Sequence, residues 1–423
     1  MDSKSLVEYE KEIAALYAQS PSYQVVGGAA YHPGMKAMED FDALLSHPHS
    51  KYKVIHVAGT NGKGSTSHLL ASVLMACGLK VGLFTSPHLL DFRERIKLGG
   101  EMIPREDVLC FLQSYKEQIS NLSFFEITSA MAFWYFAKAE VDVAIIEVGL
   151  GGRLDSTNIV SPILSIVTSI GLDHCDLLGD TLEKIAFEKG GIIKPGVPVV
   201  LGNIEEAPLR VLREIAGSRG AEVCCSGDFD FDFDFEELLS LMDLKGSYQR
   251  YNLATVLVAL GIVFPVLGLR PSSELVVSGI VAAARRTGFR GRWEKLSDKP
   301  LIYCDIAHNP QGVAPVMEQL MGLFDTGCFG RLVMIFGMVS NKDVEAVACL
   351  LPKDAEYIFT NARGARALAA SDLARMLSVH GLRGVCTSSV KEALELYRSS
   401  ALESDLVYIG GSSYVVAEAL EVV

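Results

Sequence analysis

The sequence predicts an α/β protein in two parts: a large doubly wound parallel-sheet domain built on a phosphate loop (P-loop), then a smaller Rossmann-like α/β domain. Three observations predict it. Short continuous apolar runs alternate with helical patterns, as strands buried on both faces of a parallel sheet do. A glycine-rich turn, Gly59-Thr60-Asn61-Gly62-Lys63-Gly64-Ser65-Thr66, joins an apolar strand to a helix. After a charged, glycine-containing stretch at 285–300, the strand–helix alternation restarts. At 423 residues the chain exceeds one ordinary core. The expected domains are residues 1–294 and 295–423, with 285–300 as the linker region.

The first fifty residues read as a polar-apolar helix, not a targeting segment, and then a loop with Gly27-Gly28 and Tyr31-His32-Pro33-Gly34. Lys53–Ala58 is the strand before the glycine turn, and Leu69, Leu70, Val73, Leu74 and Cys77 follow at helical spacing. Glycines let backbone N–H groups approach phosphate oxygens, the helix start adds unpaired donors, and Lys63 adds a full charge. The spacing departs from the standard P-loop: the first glycine is too close to the Gly-Lys pair, and Gly64 stands where Ser or Thr usually follows the lysine. An ordinary βα turn is the alternative, but such turns rarely set a lysine between two glycines.

Strands are expected at 81–84, 141–148 and 163–167, with helices at 105–120 and 126–138. The alternation DFDFDFDFEE at 228–237 reads as a solvated strand of a small sheet, with a metal or acidic interaction site as the other reading. The apolar run 253–269 falls short of the ~20 residues of a membrane span and contains Pro265, so a buried helix is expected. Beyond the linker, strands are expected at 301–305, 332–336, 357–360 and 406–409.

A net charge of −13 argues against a nucleic-acid partner, which needs a basic face. It does not exclude an anionic small substrate, because screening leaves the local site in control. Nine cysteines, an odd number with no CxxC pair, suggest reduced thiols in the cytoplasm.

Several polar residues stand at strand or helix ends, where ligands bind in such sheets. Glu147 ends a buried apolar strand and needs a partner or a cation. Ser86, before Pro87, and His174, in Ser169-Ile170-Gly171-Leu172-Asp173-His174, follow two other strands. By themselves they read as a turn residue and a structural histidine. Lys189 reads as a positive charge at a helix C-terminus. Ser123-Phe124-Phe125-Glu126 has the form of a capping box.

The loop GTNGKGS resembles that of the Mur ligase superfamily, in the form found in folylpolyglutamate and dihydrofolate synthases. TSPH at 85–88 with Glu94-Arg95-Ile96, and EVGLGGRLDSTN at 147–158, resemble the same family, and the similarity runs from about Tyr31 to Arg366. The resemblance implies that Gly59, Thr60, Asn61, Gly62, Lys63, Gly64 and Ser65 bind ATP, and that Ser86, Glu147 and His174 hold Mg²⁺. It implies a carbamylated Lys189 that fixes the metal and an acyl phosphate, which requires a neutral amine and so a lowered pKa. Leu154, Asp155 and Ser156 would line a pterin site, with Ser123, Phe124, Phe125 and Glu126 against dihydropteroate and a loop of the first fifty residues nearby. Asn252 would contact adenine, Arg292 the nucleotide phosphates, Asp305 the nucleotide or the amine, His308 the incoming glutamate, and Arg366 that glutamate too. Lys63, Lys189, Asp305 and His308 would be catalytic.

This chain departs from the family at three places. Tyr248 replaces a His before Gln249, Ile306 replaces a Gly after Asp305, and Asn341-Lys342-Asp343 replaces Asp-Lys-Asp. A β-branched residue resists φ > 0, so the turn at Ile306 is expected to differ.

The function implied is an ATP-dependent amide ligase. A carboxylate takes the γ-phosphoryl group, and a glutamate amine, brought by the second domain, captures the acyl phosphate. The donor is dihydropteroate, a folate, or both, and one bifunctional, monomeric enzyme without nucleic-acid or membrane partners is expected. A peptidoglycan-precursor ligase would need a uridine-nucleotide-binding domain, for which about fifty residues before the loop are too few. A nucleotide-driven switch would leave the Asp305-His308 motif unexplained.

Overall fold

Strands buried on both faces are mostly apolar, and the central strands of this protein are, with His56, Glu147 and Ser165 as buried polar exceptions. The computed structural model describes residues 3–20, 34–229, 234–364 and 366–422. The chain divides into two units, Met1–Asp243 with Gln249–Phe289, and Leu244–Tyr248 with Arg290–Val423. The expected boundary after residue 294 falls inside the second unit. Glu294–Asp298, read as charged linker, is a strand. It is a partly exposed edge strand, so it carries no apolar run to announce it.

The larger unit holds an eight-stranded sheet. Its strands are β1 Lys53–Ala58, β2 Val81–Phe84, β3 Ile96–Leu98, β4 Glu101–Met102, β5 Val143–Glu147, β6 Leu164–Val167, β7 Val199–Leu201 and β8 Val223–Cys225. The order is β4-β3-β2-β5-β1-β6-β7-β8. All neighbours from β2 to β8 run parallel, and only the β2–β3 and β3–β4 pairs are antiparallel. The chain steps from β1 towards one edge and later, from β5 to β6, towards the other. The carboxyl end of β1 is therefore a topological switch point, where a crevice forms. The register brings the neighbouring ends level: Val57 pairs with Glu147, and Ala58 with Val167.

The helix after the glycine turn, Lys63–Ala76, is buried from Ser65 to Leu74. The expected buried helix is Gln249–Val266; it is long and apolar enough to cross a membrane, but half of it is buried in the protein. It lays Leu253, Val256, Leu260 and Val263 into the core and contacts the Lys63–Ala76 helix, β6 and β7. The helix expected at 105–120 is shorter, Arg105–Ser114, and that expected from 126 begins at Phe124.

The strand expected at 228–237 is corrected in part. Phe235–Leu241 is a helix whose Asp234 side chain accepts from the Glu237 N–H, and 230–233 lie outside the described residues. An Asp before a Phe-Glu-Glu run is an N-cap signal that the Phe/Asp alternation masked. Gly27, Gly28 and residues 31–33 of the expected pterin-side loop also lie outside the described residues.

The smaller unit's sheet has six strands: β9 Glu294–Asp298, β10 Leu301–Asp305, β11 Arg331–Phe336, β12 Glu356–Phe359, β13 Gly384–Cys386 and β14 Asp405–Gly410. Their order is β13-β12-β11-β14-β10-β9, parallel except for β9.

Candidate active site

The glycine turn leaves β1 under conformational constraint. Gly59 has φ +152°, and a Cβ there would lie 1.9 Å from Thr168 Oγ1; Gly62 has φ +86°, and a Cβ would lie 2.3 Å from Asn252 Oδ1. Only glycine fits either place. The residues after β6 hold the turn: the Thr60 N–H donates to the Ser169 carbonyl (2.8 Å), the Asn61 N–H to Ser169 Oγ (3.0 Å), and Thr168 Oγ1 to the Asn61 carbonyl (2.7 Å). Asn252 is fixed by Gln249 (2.8 Å), which reaches Ser65 Oγ (3.2 Å). No side chain caps the Lys63–Ala76 helix, as suits an anion site.

Two lysines meet at this turn. Lys63 Nζ donates to the carbonyls of Gly59 (3.0 Å) and Thr60 (3.2 Å), and Lys189 Nζ donates to the same Gly59 carbonyl (2.9 Å). Lys189 is 5% exposed. Burial above all, then the Lys63 charge, brings its pKa down from 10.5 to about 7, against the pull of Asp173 and Asp155. It lies at the end of its helix, as expected, but faces inward, so the helix-end reading misses its main environment.

Glu147, 3% exposed at the end of β5, accepts the Ser86 N–H at 3.2 Å. Its Oε2 lies 3.7 Å from where a Cβ on Gly64 would stand. His174 takes the left-handed conformation (φ 52°) and has Nε2 3.8 Å from Asp173 Oδ1. Among the described residues no three His, Cys, Asp or Glu side chains form a ready metal cage. A buried carboxylate beside a hydroxyl-bearing turn and an anion site suits Mg²⁺, which takes few protein ligands and completes its shell with phosphate and water.

The residues carried over to a pterin site prove closely tied to their own loop. Asp155, buried, accepts from the Leu150 N–H (2.8 Å), the Thr157 N–H (3.0 Å) and the Thr157 hydroxyl (2.5 Å). Ser156 Oγ meets Ser129 Oγ at 3.0 Å, and Leu154 is half-buried. Ser123 and Glu126 make the capping box: the Ser123 N–H donates to Glu126 (2.7 Å), and the Glu126 N–H to Ser123 Oγ (3.3 Å). Phe124 stacks on Tyr17 (5.2 Å), with the Arg95 guanidinium over its ring. Phe125 packs so tightly on Gly149 that a Cβ there would meet its ring at 2.3 Å.

Sequence reasoning missed His56, which is fully buried in β1 with Nε2 2.9 Å from Thr157 Oγ1. A single polar residue inside an apolar run was its only signal.

In the smaller unit, Asp305 ends β10, 2% exposed, and accepts from Tyr248 Oη (2.5 Å), the Trp293 N–H (2.7 Å) and the Ala307 N–H (2.8 Å). Burial raises its pKa against those bonds and the Arg292 charge. Tyr248, which departs from the family, is therefore the partner of this carboxylate. Ile306 takes no left-handed φ; Trp293 does, at 45°. His308 Nδ1 lies 3.0 Å from the Ile306 carbonyl. A carbonyl only accepts, so in this contact Nδ1 carries a proton. Arg292 donates to the Gly291 carbonyl, Arg366 to Asn341 Oδ1 (2.6 Å), and Asp343 caps the helix Val344–Ala348.

Two family models match: the Mur ligase middle domain over residues 57–237 and the Mur ligase glutamate ligase domain over 291–413. With a phosphate loop at a switch point and a second α/β unit, this is a protein of the Mur ligase class. Dihydrofolate synthase/folylpolyglutamate synthase of Bacillus subtilis is 34% identical, over 91% of this chain and 94% of that one. The Escherichia coli K12 protein of the same name is 34% identical over 88% and 86%. Among solved structures, E. coli FolC in complex with DHPP and ADP superposes with a TM-score of 0.83 at 30% identity, covering 98% of this chain and 97% of that one. A bifunctional folylpolyglutamate synthase/dihydrofolate synthase with Mn, AMPPNP and L-glutamate bound has a TM-score of 0.80 at 28% identity, covering 92% of this chain and 94% of that one. The chain belongs to the folylpolyglutamate synthase/dihydrofolate synthase family.

Proposed function

We propose that this protein is a cytoplasmic, ATP-dependent ligase that joins L-glutamate to dihydropteroate and to the glutamate tail of folates. The observation that carries the reading is the meeting of Lys63 and Lys189 on one phosphate-loop carbonyl, with the buried Glu147 carboxylate beside Gly64. Relatives with ADP, an ATP analogue, manganese, glutamate and DHPP bound support it.

In this reading the N–H groups of 59–65 and the Lys63 ammonium hold the triphosphate. Glu147, Ser86 and His174 would hold Mg²⁺, which when bound screens the phosphate charge. The pteroate or folate carboxylate oxygen bonds to the γ-phosphorus, and ADP leaves. The glutamate nitrogen then bonds to the acyl carbon, phosphate leaves, and the nitrogen loses a proton, with His308 assigned to the glutamate side. Lys189 is half neutral near pH 7, the state its carbamylation needs. Asn252 and Arg292 are assigned to the nucleotide, Asp305 to positioning the amine or the nucleotide, Arg366 to the glutamate, and Ser123–Glu126 with Leu154–Ser156 to the pterin side.

The test is phosphate release from ATP with dihydropteroate, folate and glutamate each omitted in turn, together with product mass. Release needing an acid and glutamate, with products one or several glutamates heavier, is expected. Release indifferent to both would reject the ligase.

A further inference from the structure

Thr287 to Phe289 end the larger unit's second segment, and separate contacts clamp this stretch. The Lys97 ammonium, 4% exposed, donates to the carbonyls of Thr287 (2.7 Å) and Gly288 (3.1 Å). His68 Nδ1 meets Thr287 Oγ1 at 2.7 Å, while that hydroxyl donates to the Ala283 carbonyl at 2.6 Å. Gly100, on the turn between β3 and β4, approaches so closely that a Cβ would lie 2.2 Å from the Arg286 carbonyl. Burying a lysine is costly, and Glu94 and Glu101 offset only part of that cost for Lys97. Here it caps two carbonyls at a helix end, and no step of the ligase chemistry uses it.

The clamp delivers the Phe289 ring. It stacks on His68 with centroids 4.0 Å apart and planes 19° apart. Its Cζ lies 3.4 Å from where a Cβ on Gly64 would stand, and Glu147 Oε2 lies 3.7 Å from the same point. Ring and carboxylate thus flank one phosphate-loop residue.

We propose that Phe289 is a positioning residue that keeps water from the Glu147 side of the phosphate loop, so that phosphoryl transfer goes to the carboxylic acid. The inference rests on the ligase reading. The reaction it suppresses is attack of a water oxygen on the γ-phosphorus or on the acyl phosphate; either yields free phosphate and a proton but no amide.

The test compares Phe289→Ala and Phe289→Leu in the full chain, with ATP, Mg²⁺, dihydropteroate and glutamate, counting phosphate released per amide formed. Wild type and the Leu variant are expected near one. The Ala variant is expected to rise about fivefold or more, with KM for ATP changed less than about threefold. A ratio unchanged in the Ala variant, with slower turnover only, would overturn the proposal by leaving the ring a purely structural part. Should the Ala variant not fold, Lys97→Met, which frees the Thr287 and Gly288 carbonyls, must show the same rise, and an unchanged ratio there overturns it equally. A wild-type protein that forms no amide overturns the ligase reading and this inference together, a result distinct from an unchanged ratio.

Discussion

Single residues in this protein are defined by what they cannot leave. Glu147 is a carboxylate buried at the carboxyl end of the central strand β5, where it accepts from the Ser86 N–H, and a cation bound there would offset the cost of burying its charge. Glu147→Ala is expected to abolish turnover while circular dichroism and melting stay near wild type; retained turnover would remove it from the site. His56 makes the opposite case. Thr157 gives its hydroxyl proton to Asp155, so His56 Nε2 must be the donor to Thr157, and Nδ1 is left buried with no hydrogen-bond partner among the described residues. Protonating Nδ1 would bury an unpaired cationic N–H, and burial accordingly drives the His56 pKa down to about 3.

At the scale of elements, the Phe124–Lys138 helix tests whether Ser123 and Glu126 serve the chain or a ligand. Both halves of the capping box form. Ser123→Ala should therefore cost about 1 kcal/mol in denaturant unfolding. A loss of KM for the pterin substrate with no change in stability would instead favour direct contact. Elements also mark where sequence reading succeeds. β1 and β2 run where their apolar residues say, because a strand buried along nearly its whole length has few polar positions to blur its ends. β9 escaped because one side of it is solvent, and Phe235–Leu241 because its cap imitates strand alternation. Gly59, Lys63 and Glu147 were legible because their chemistry lies in consecutive residues. The Lys97–Thr287 and Tyr248–Asp305 pairs were not, because each joins positions far apart in the chain, and a single sequence holds no record of such contacts.

For the whole molecule, acid is the informative stress. His56 and His88 both have folded pKa values near 3, set first by burial, against an ordinary 6.5. Between those values the unfolded chain binds protons that the native chain refuses. Stability should be full above pH 6.5 and fall as pH drops from 6.5 towards 3, by up to several kcal/mol at about 1.4 kcal/mol per unit for each residue. Melting midpoints across that range would check it. His56→Gln, which keeps a donor for Thr157 and cannot titrate, should flatten the slope; an equal slope would place the acid sensitivity elsewhere.

The Gly59 oxygen has a consequence of its own. It tethers two ammonium groups at once, and the Lys63 charge adds to burial in making the Lys189 proton easier to lose. Were Lys63 to swing out towards a bound polyanion, Lys189 would be relieved of that pressure and become the stronger base. If the free Lys189 amine takes up carbon dioxide, as proposed, that step would be easiest before a polyanion is seated, and one backbone atom would set the order in which the two events are best taken.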